Sequence, residues 1–173
     1  GIHTIWTLED IVEINKRLQD AKKAVVIGGG LLGLEAAYKI SSMGIEVSLI
    51  EGMPRLLPKQ LDGEGSEICR DKVQSLGISV FCGKSVTGFE GDNTGHVRQV
   101  LMADDTRLEA DIVIVAVGVA PDISLFQNTG ISMNRFIIVN EKMETSVKDI
   151  YAAGDVASIN GRWFGQWSVA SGQ

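Results

Sequence analysis

The chain has 173 residues, 45% hydrophobic and 22% charged, a globular composition with enough apolar side chain for one core, or for one domain and pieces of another. Sixteen Lys and Arg stand against 22 Asp and Glu, giving a net charge of −6 with no basic run, which argues against a nucleic-acid partner. No apolar run approaches the roughly 20 residues that cross a bilayer, so no membrane partner is expected either.

Thr7-Leu8-Glu9-Asp10 reads as a helix start, and Leu8, Ile11, Val12, Ile14 and Leu18 continue it at helical spacing. Lys22 and Lys23 lead into an apolar strand over residues 24–27, followed by Gly28-Gly29-Gly30-Leu31-Leu32-Gly33. A helix is predicted over residues 34–43 with Gly44 as its stop, then a second strand over 46–51 and a loop carrying Pro54 and Pro58. Asp62 is placed to cap a helix reaching Leu76, and residues 78–82 form a third strand. This alternation predicts a parallel sheet with right-handed crossovers. Short alternating segments at 85–90, 96–102 and 106–110 then predict an antiparallel β-meander where a third crossover helix would stand. Residues 111–117 return to a strand buried on both faces. A short helix is expected over 124–129, and short strands over 136–139 and 150–153. The fold class is α/β: a Rossmann-type parallel sheet with an antiparallel β-meander crossover.

The glycine cluster has the Gly-x-Gly-x-x-Gly spacing. On its own this is a weak signal, but a strand precedes it, a helix and a second strand follow, and that strand ends in Glu51, about twenty residues on. Gly28 permits the tight turn, Gly30 lets backbone approach a pyrophosphate, and Gly33 lets the helix lie close on the sheet. Amides of the first helical turn around Gly29, Leu31 and Leu32, with the helix dipole, face the pyrophosphate. Glu51 accepts hydrogen bonds from the adenosine ribose and repels a 2′-phosphate, so NAD(H) is expected over NADP(H). Arg55, in the loop beyond, softens that repulsion. The alternative is a structural turn with no ligand.

A second segment, Thr145-Ser146-Val147-Lys148-Asp149-Ile150-Tyr151-Ala152-Ala153-Gly154-Asp155, resembles the second flavin motif of the pyridine nucleotide–disulfide oxidoreductase family. The resemblance implies the three-layer ββα arrangement of FAD/NAD(P)-binding domains. It also implies that Asp155 bonds a ribityl hydroxyl of FAD while Gly154 allows close backbone approach. From the residues alone, Asp155 at a strand-to-helix turn reads equally as an N-cap. Val117-Gly118-Val119-Ala120-Pro121-Asp122 resembles the family's loop after the last strand of the nucleotide domain, with Gly118 and Pro121 matching and Asp122 standing where Asn is usual. Glu35 matches the family's Gly-x-Gly-x-x-Gly-x-Glu pattern and by resemblance lies near the nicotinamide as the catalytic-site residue; otherwise it is a carboxylate favoured by the helix dipole. Residues 55–62 and Gly83-Lys84 are most similar to the NADH-handling flavoprotein half of assimilatory nitrite reductases, and to NADH:rubredoxin reductases and NADH oxidases.

By this resemblance, residues 1–22 connect from an FAD domain, residues 23–144 form the NADH-binding domain, and residues 145–173 return to the FAD domain. The family's first glycine motif is expected before Gly1 and its dimerisation domain after Gln173. The chain is therefore expected to be a piece, inactive alone, of a homo-oligomeric enzyme. The implied activity is hydride transfer from NADH to FAD and onward to an acceptor that the residues do not name, either a small molecule or a redox protein. A helix is expected around Trp167, Ala170 and Gln173, with Trp163, Phe164 and Trp167 as core residues of the missing domain. Cys69 and Cys82 match no metal or redox spacing, so no metal is expected, and they read as reduced structural thiols of a cytoplasmic protein. Two other readings stay open: an NAD(H)-sensing module without chemistry, and residues 28–51 as the FAD site itself.

Overall fold

The elements follow the chain as β1 (Ile2–Thr4), α1 (Leu8–Leu18), β2 (Lys23–Ile27), α2 (Leu31–Ser41), β3 (Glu46–Glu51), α3 (Gly63–Ser75) and β4 (Ile78–Cys82). They continue as β5 (Val86–Gly91), β6 (Val97–Met102), β7 (Arg107–Glu109), β8 (Ile112–Val115), β9 (Ile137–Val139) and β10 (Ala157–Ile159). The structure is a computed structural model and describes residues 1–118, 120–159 and 161–163. It divides into two compact units, Gly1–Gly118 and Val119–Gln173.

In the first unit five strands form one sheet in the order β1-β8-β2-β3-β4, every pairing parallel. Strand periodicity sorts the side chains into two cores. Ala24, Val26, Val47, Leu49, Ile112 and Ile114 face the helices and pack with Ile14, Leu18, Ala37 and Ile40. Val25, Ile50 and Val113 face the other way, onto Val97, Val100 and Met102 of the antiparallel layer β5-β6-β7. The result is helices, parallel sheet and meander in three layers: the sheet and meander follow the predicted patterns, and the layering is the one the resemblance implies.

Local chemistry explains the ends of the elements. Thr7 caps α1 in a reciprocal box: the Asp10 amide donates to Thr7 Oγ1 at 3.2 Å and the Thr7 amide to Asp10 Oδ2 at 2.8 Å. Asp62 caps α3 by accepting from the Gly65 amide at 2.9 Å. At the entry to β2 and β8, the Asp111 carboxylate accepts from the Lys22 and Lys23 amides at 2.9 and 3.0 Å. The Lys22 amide foremost, and the Lys23 amide with it, hold its carboxyl below the usual carboxylate range. A depressed folded pKa gives stability that is present above the unfolded value, near 4, and is lost as pH falls through the folded one. Urea midpoints at pH 7 and pH 3 are therefore expected to show wild type ahead of Asp111→Asn at the higher pH and the gap closing at the lower. A gap that stays constant would show that Asp111 contributes no acid-linked stability.

The structure corrects three expectations and adds one strand. The second helix begins at Leu31 and ends at Ser41 rather than spanning 34–43, with Gly30 as an extended N-cap and the Leu34 amide bonded to the Gly30 carbonyl at 3.0 Å. Gly33, one residue before the predicted start, lies inside the helix, where it packs on the Gly28 carbonyl. Residues 2–4 form an edge strand on β8, too short to show a pattern of its own. Residues 150–153 make only an isolated bridge between Tyr151 and Glu144, and the strand lies further on, at Ala157–Ile159, parallel to Ile137–Val139. The helix expected over 124–129 shortens to a 3-10 turn, Ser124–Phe126.

The second unit packs Ile131, Ile137 and Val139 with Phe126, Met143, Val147 and Val156. Trp163 stacks on Phe136 at 5.1 Å between ring centroids and donates through Nε1 to the Asp155 carbonyl at 2.9 Å, so it has packing partners within this unit. Phe164 and the helix expected around Trp167, Ala170 and Gln173 lie outside the described residues.

Candidate functional site

The strand order reverses beside β2: the chain proceeds through α2 to β3 on one side, and β8 lies on the other. Such a switch point, at the carboxyl ends of the strands, is where open α/β sheets bind ligands. The Gly28–Gly33 turn stands there, next to the end of β8.

Each glycine has a different neighbourhood. Gly28 is buried with φ +114, its amide donates to the Ile50 carbonyl at 2.7 Å, and a β-carbon on it would fall 2.3 Å from the Ala116 carbonyl oxygen. A side chain is excluded twice, by conformation and by space. A β-carbon on Gly33 would lie 1.8 Å from the Gly28 carbonyl oxygen, because the helix presses onto the turn. At Gly30 a β-carbon would meet nothing within 4 Å. No protein packing requires a glycine there, so backbone at Gly30 is open to approach from outside. The amides of Leu31, Leu32 and Gly33 open the helix, ahead of the Leu34 amide that makes the first intrahelical bond, and so point out of its positive end.

Glu51, at the end of β3, is half-buried, and two backbone amides hold its carboxylate: Gly29 donates to Oε2 at 2.6 Å and Met53 to Oε1 at 2.7 Å. Each oxygen keeps a lone pair for a further donor. The fit to a dinucleotide is therefore good: an unfilled cradle at Gly30, a helix N-terminus and an oriented carboxylate occupy one edge of the sheet.

Arg55 is exposed and donates through Nη2 to the Pro58 carbonyl at 3.3 Å, within its own loop. Glu35 is exposed on the face of α2 that begins with Leu31, as the fifth helical residue. That is beyond the first turn, where the helix dipole acts, so the dipole does not account for it. Gly118 is exposed past the end of β8, and Pro121 belongs to the second unit. In that second unit Gly154, at φ +80, opens a 3-10 turn that leaves Asp155 exposed, so the turn is not an α-helix that Asp155 caps.

Burial pushes the Cys69 thiol up, and burial with the Glu51 charge does the same to Cys82, so neither is a ready thiolate. Among the described residues no group of three His, Cys, Asp or Glu is placed to hold a metal, and no helix is long and apolar enough to cross a membrane.

Motif reading passed over the loop that backs the glycine turn. Leu56 is fully buried against Gly29, Leu57 donates to the Gly29 carbonyl at 3.0 Å, and the buried Ser66 hydroxyl donates to the Leu56 carbonyl at 2.8 Å. The available signal was the i, i+3, i+7 spacing of Ser66 with Cys69 and Val73, which puts a hydroxyl on the inward face of α3.

The chain is similar to known proteins along most of its length. The chain is 40% identical over 165 residues to nitrite reductase [NAD(P)H] of Bacillus subtilis, covering 95% of this chain and 20% of that protein. It is 36% identical over 172 residues to NADH-rubredoxin oxidoreductase of Clostridium acetobutylicum, covering 99% of this chain and 41% of that one. Among solved structures, a chain of the covalent putidaredoxin reductase–putidaredoxin complex superposes with a TM-score of 0.88 at 33% identity, covering 98% of this chain and 42% of its own length. The chain thus spans between a fifth and two-fifths of these relatives. Residues 1–173 match the family described as pyridine nucleotide-disulphide oxidoreductase, and the chain belongs to that family.

Proposed function

We propose that this chain carries the NAD(H)-binding domain of a flavoprotein oxidoreductase that takes hydride from NADH to FAD and passes electrons to an acceptor. In this reading residues 23–144 are the NADH domain, and residues 1–22 and 145–173 are its connections to the FAD domain, although β1 and α1 pack within the first compact unit, which ends at Gly118. The observation that carries it is the pair at the sheet edge: the unfilled space at Gly30 beside a Glu51 carboxylate held by two amides.

The nicotinamide and flavin supply the redox chemistry when bound, and the chain's residues bind and orient. The Leu31, Leu32 and Gly33 amides of the first turn of α2 receive the pyrophosphate, whereas the Gly28 and Gly29 amides, the latter expected to face it, are taken by the Ile50 carbonyl and Glu51. Glu51 takes the adenosine ribose, and its charge disfavours a 2′-phosphate. Glu35, on the same face as Leu31, stands on the nicotinamide side, and Gly118 and Pro121 belong to the loop following β8. Asp155, with Gly154, contributes one hydroxyl-binding carboxylate to the flavin. The names of the relatives, with NAD(P)H, NADH and rubredoxin or putidaredoxin in them, support a nicotinamide donor and permit a redox-protein acceptor. A cytoplasmic homo-oligomer is the assembly this reading expects.

Calorimetric titration of the protein with NADH and then NADPH tests it. NADH is expected to bind at least about tenfold more tightly, the cost of placing a phosphate beside a carboxylate. Equal affinities would remove Glu51 as the ribose reader, and absence of binding by folded protein would remove the nucleotide site.

A further inference from the structure

Leu57 is the residue nearest the candidate site with strained backbone. Its φ is +47, a left-handed conformation that leucine rarely adopts. Such strain persists where surrounding contacts over-determine it. Here its amide donates to the Gly29 carbonyl, and its own carbonyl accepts from the Gln60 and Leu61 amides, all at 3.0 Å.

The preceding residue locks the same peptide from the other side. Leu56 is 0% exposed, and its Cδ2 fills the place where a Gly29 side chain would be, 2.6 Å from a β-carbon built there. The Leu56 carbonyl accepts from Ser66 Oγ at 2.8 Å, and Ser66 is itself only 2% exposed. Gly29 is thus held at three points: by Leu57 at its carbonyl, by Leu56 at its α-carbon and by Glu51 at its amide. Ser66 on α3 ties the Leu56–Leu57 peptide to the helix layer, beside the Leu56 side chain in the core.

We propose that Ser66 is a positioning residue for the adenosine-ribose subsite, acting through the Leu56–Leu57 turn on Gly29 and so on the Glu51 carboxylate. This rests on the nucleotide-binding reading above. Without the hydroxyl, the Leu56 carbonyl loses its buried donor, the strained turn relaxes away from Gly29, and the Gly29–Glu51 hydrogen bond loosens with it.

The test compares wild type, Ser66→Ala and Ser66→Cys in the intact protein. Three probes are titrated well below the melting temperature: NADH, ADP-ribose (the adenosine half) and reduced nicotinamide mononucleotide (the other half). The thiol nearly matches the hydroxyl in size but is a weak donor, so Ser66→Cys keeps the packing if the alanine variant does not fold. Both variants are expected to weaken NADH and ADP-ribose about tenfold, the equivalent of one lost hydrogen bond, and to leave the mononucleotide unchanged. A purely structural serine would lower the melting temperature and leave all three affinities alone, which would overturn the proposal. Weakening of all three alike would overturn it too, because the effect would then not be local to the adenosine side. Wild type that binds neither NADH nor ADP-ribose would instead remove the underlying reading, which keeps the two failures apart.

Discussion

Gly33→Ala is expected to destabilise the protein by about 3 kcal/mol or more, and Gly30→Ala by no more than about 1 kcal/mol, although both add the same methyl group a few residues apart. In the interior of a helix, glycine to alanine ordinarily stabilises by about 0.5–1 kcal/mol. At Gly33 the sign reverses, because the new carbon would lie 1.8 Å from the Gly28 carbonyl oxygen. That oxygen is backbone in a turn whose φ is already +114, so it has nowhere to go and α2 must lift from the sheet. At Gly30 the methyl meets no protein atom, and φ −83 suits alanine, so the cost is only that of a poorer N-cap. The binding effect runs the other way. Gly30→Ala is expected to fold and yet lose about a hundredfold or more in NADH affinity, because its methyl would occupy the place proposed for the pyrophosphate. Urea unfolding with calorimetry on both variants separates the two roles. A folded Gly30→Ala that binds NADH as wild type does would mean that the space there is not a ligand's.

Glu51→Gln is expected to erase most of the preference for NADH over NADPH. The carboxylate accepts from Gly29 at 2.6 Å and from Met53 at 2.7 Å, which aims it from the end of β3. Glutamine retains one acceptor oxygen but turns an amide group toward the other donor, so one of the two N–H groups loses its partner. NADH affinity is expected to fall about tenfold for the lost charge-assisted bond to the ribose. NADPH loses its repulsion at the same time, so the ratio of the two dissociation constants should move toward unity by about tenfold or more. Glu51→Ala should weaken NADH further, and should cost about 1–3 kcal/mol of stability by leaving both amides without an acceptor. A NADPH-to-NADH ratio unchanged in Glu51→Gln would place the discrimination elsewhere, with Arg55 the next residue to replace.

The two predictions draw on different levels of information. That Gly28, Gly30, Gly33 and Glu51 belong together was legible from spacing, because an apolar strand, a turn and a helix impose their own periods on the residues. What separates Gly30 from Gly33 was not legible, since the letter is the same and only the neighbouring backbone differs. Spacing likewise misplaced the start of α2. A local rule puts glycine at helix boundaries, whereas the contact that keeps Gly33 inside the helix comes from Gly28, across a turn.

Ser66 and Leu57 show the same limit more sharply. Nothing in a leucine predicts φ +47, and a serine in a helix is usually a surface residue. Both acquire meaning only when α3 and the loop after β3 are folded against the glycine turn.

The sequence by itself determined the alternation of strand and helix, the switch to a meander, and the glycine turn with its acidic partner, because these rest on periodicity and on residues close along the chain; the family came from the resemblance of residues 145–155 to a known motif. Only the tertiary structure decided the edge strand at residues 2–4, the shift of the last strand to Ala157–Ile159, and the three-point hold on Gly29. Those depend on hydrogen bonds and contacts between segments distant in sequence, whose free energy appears only when the segments meet.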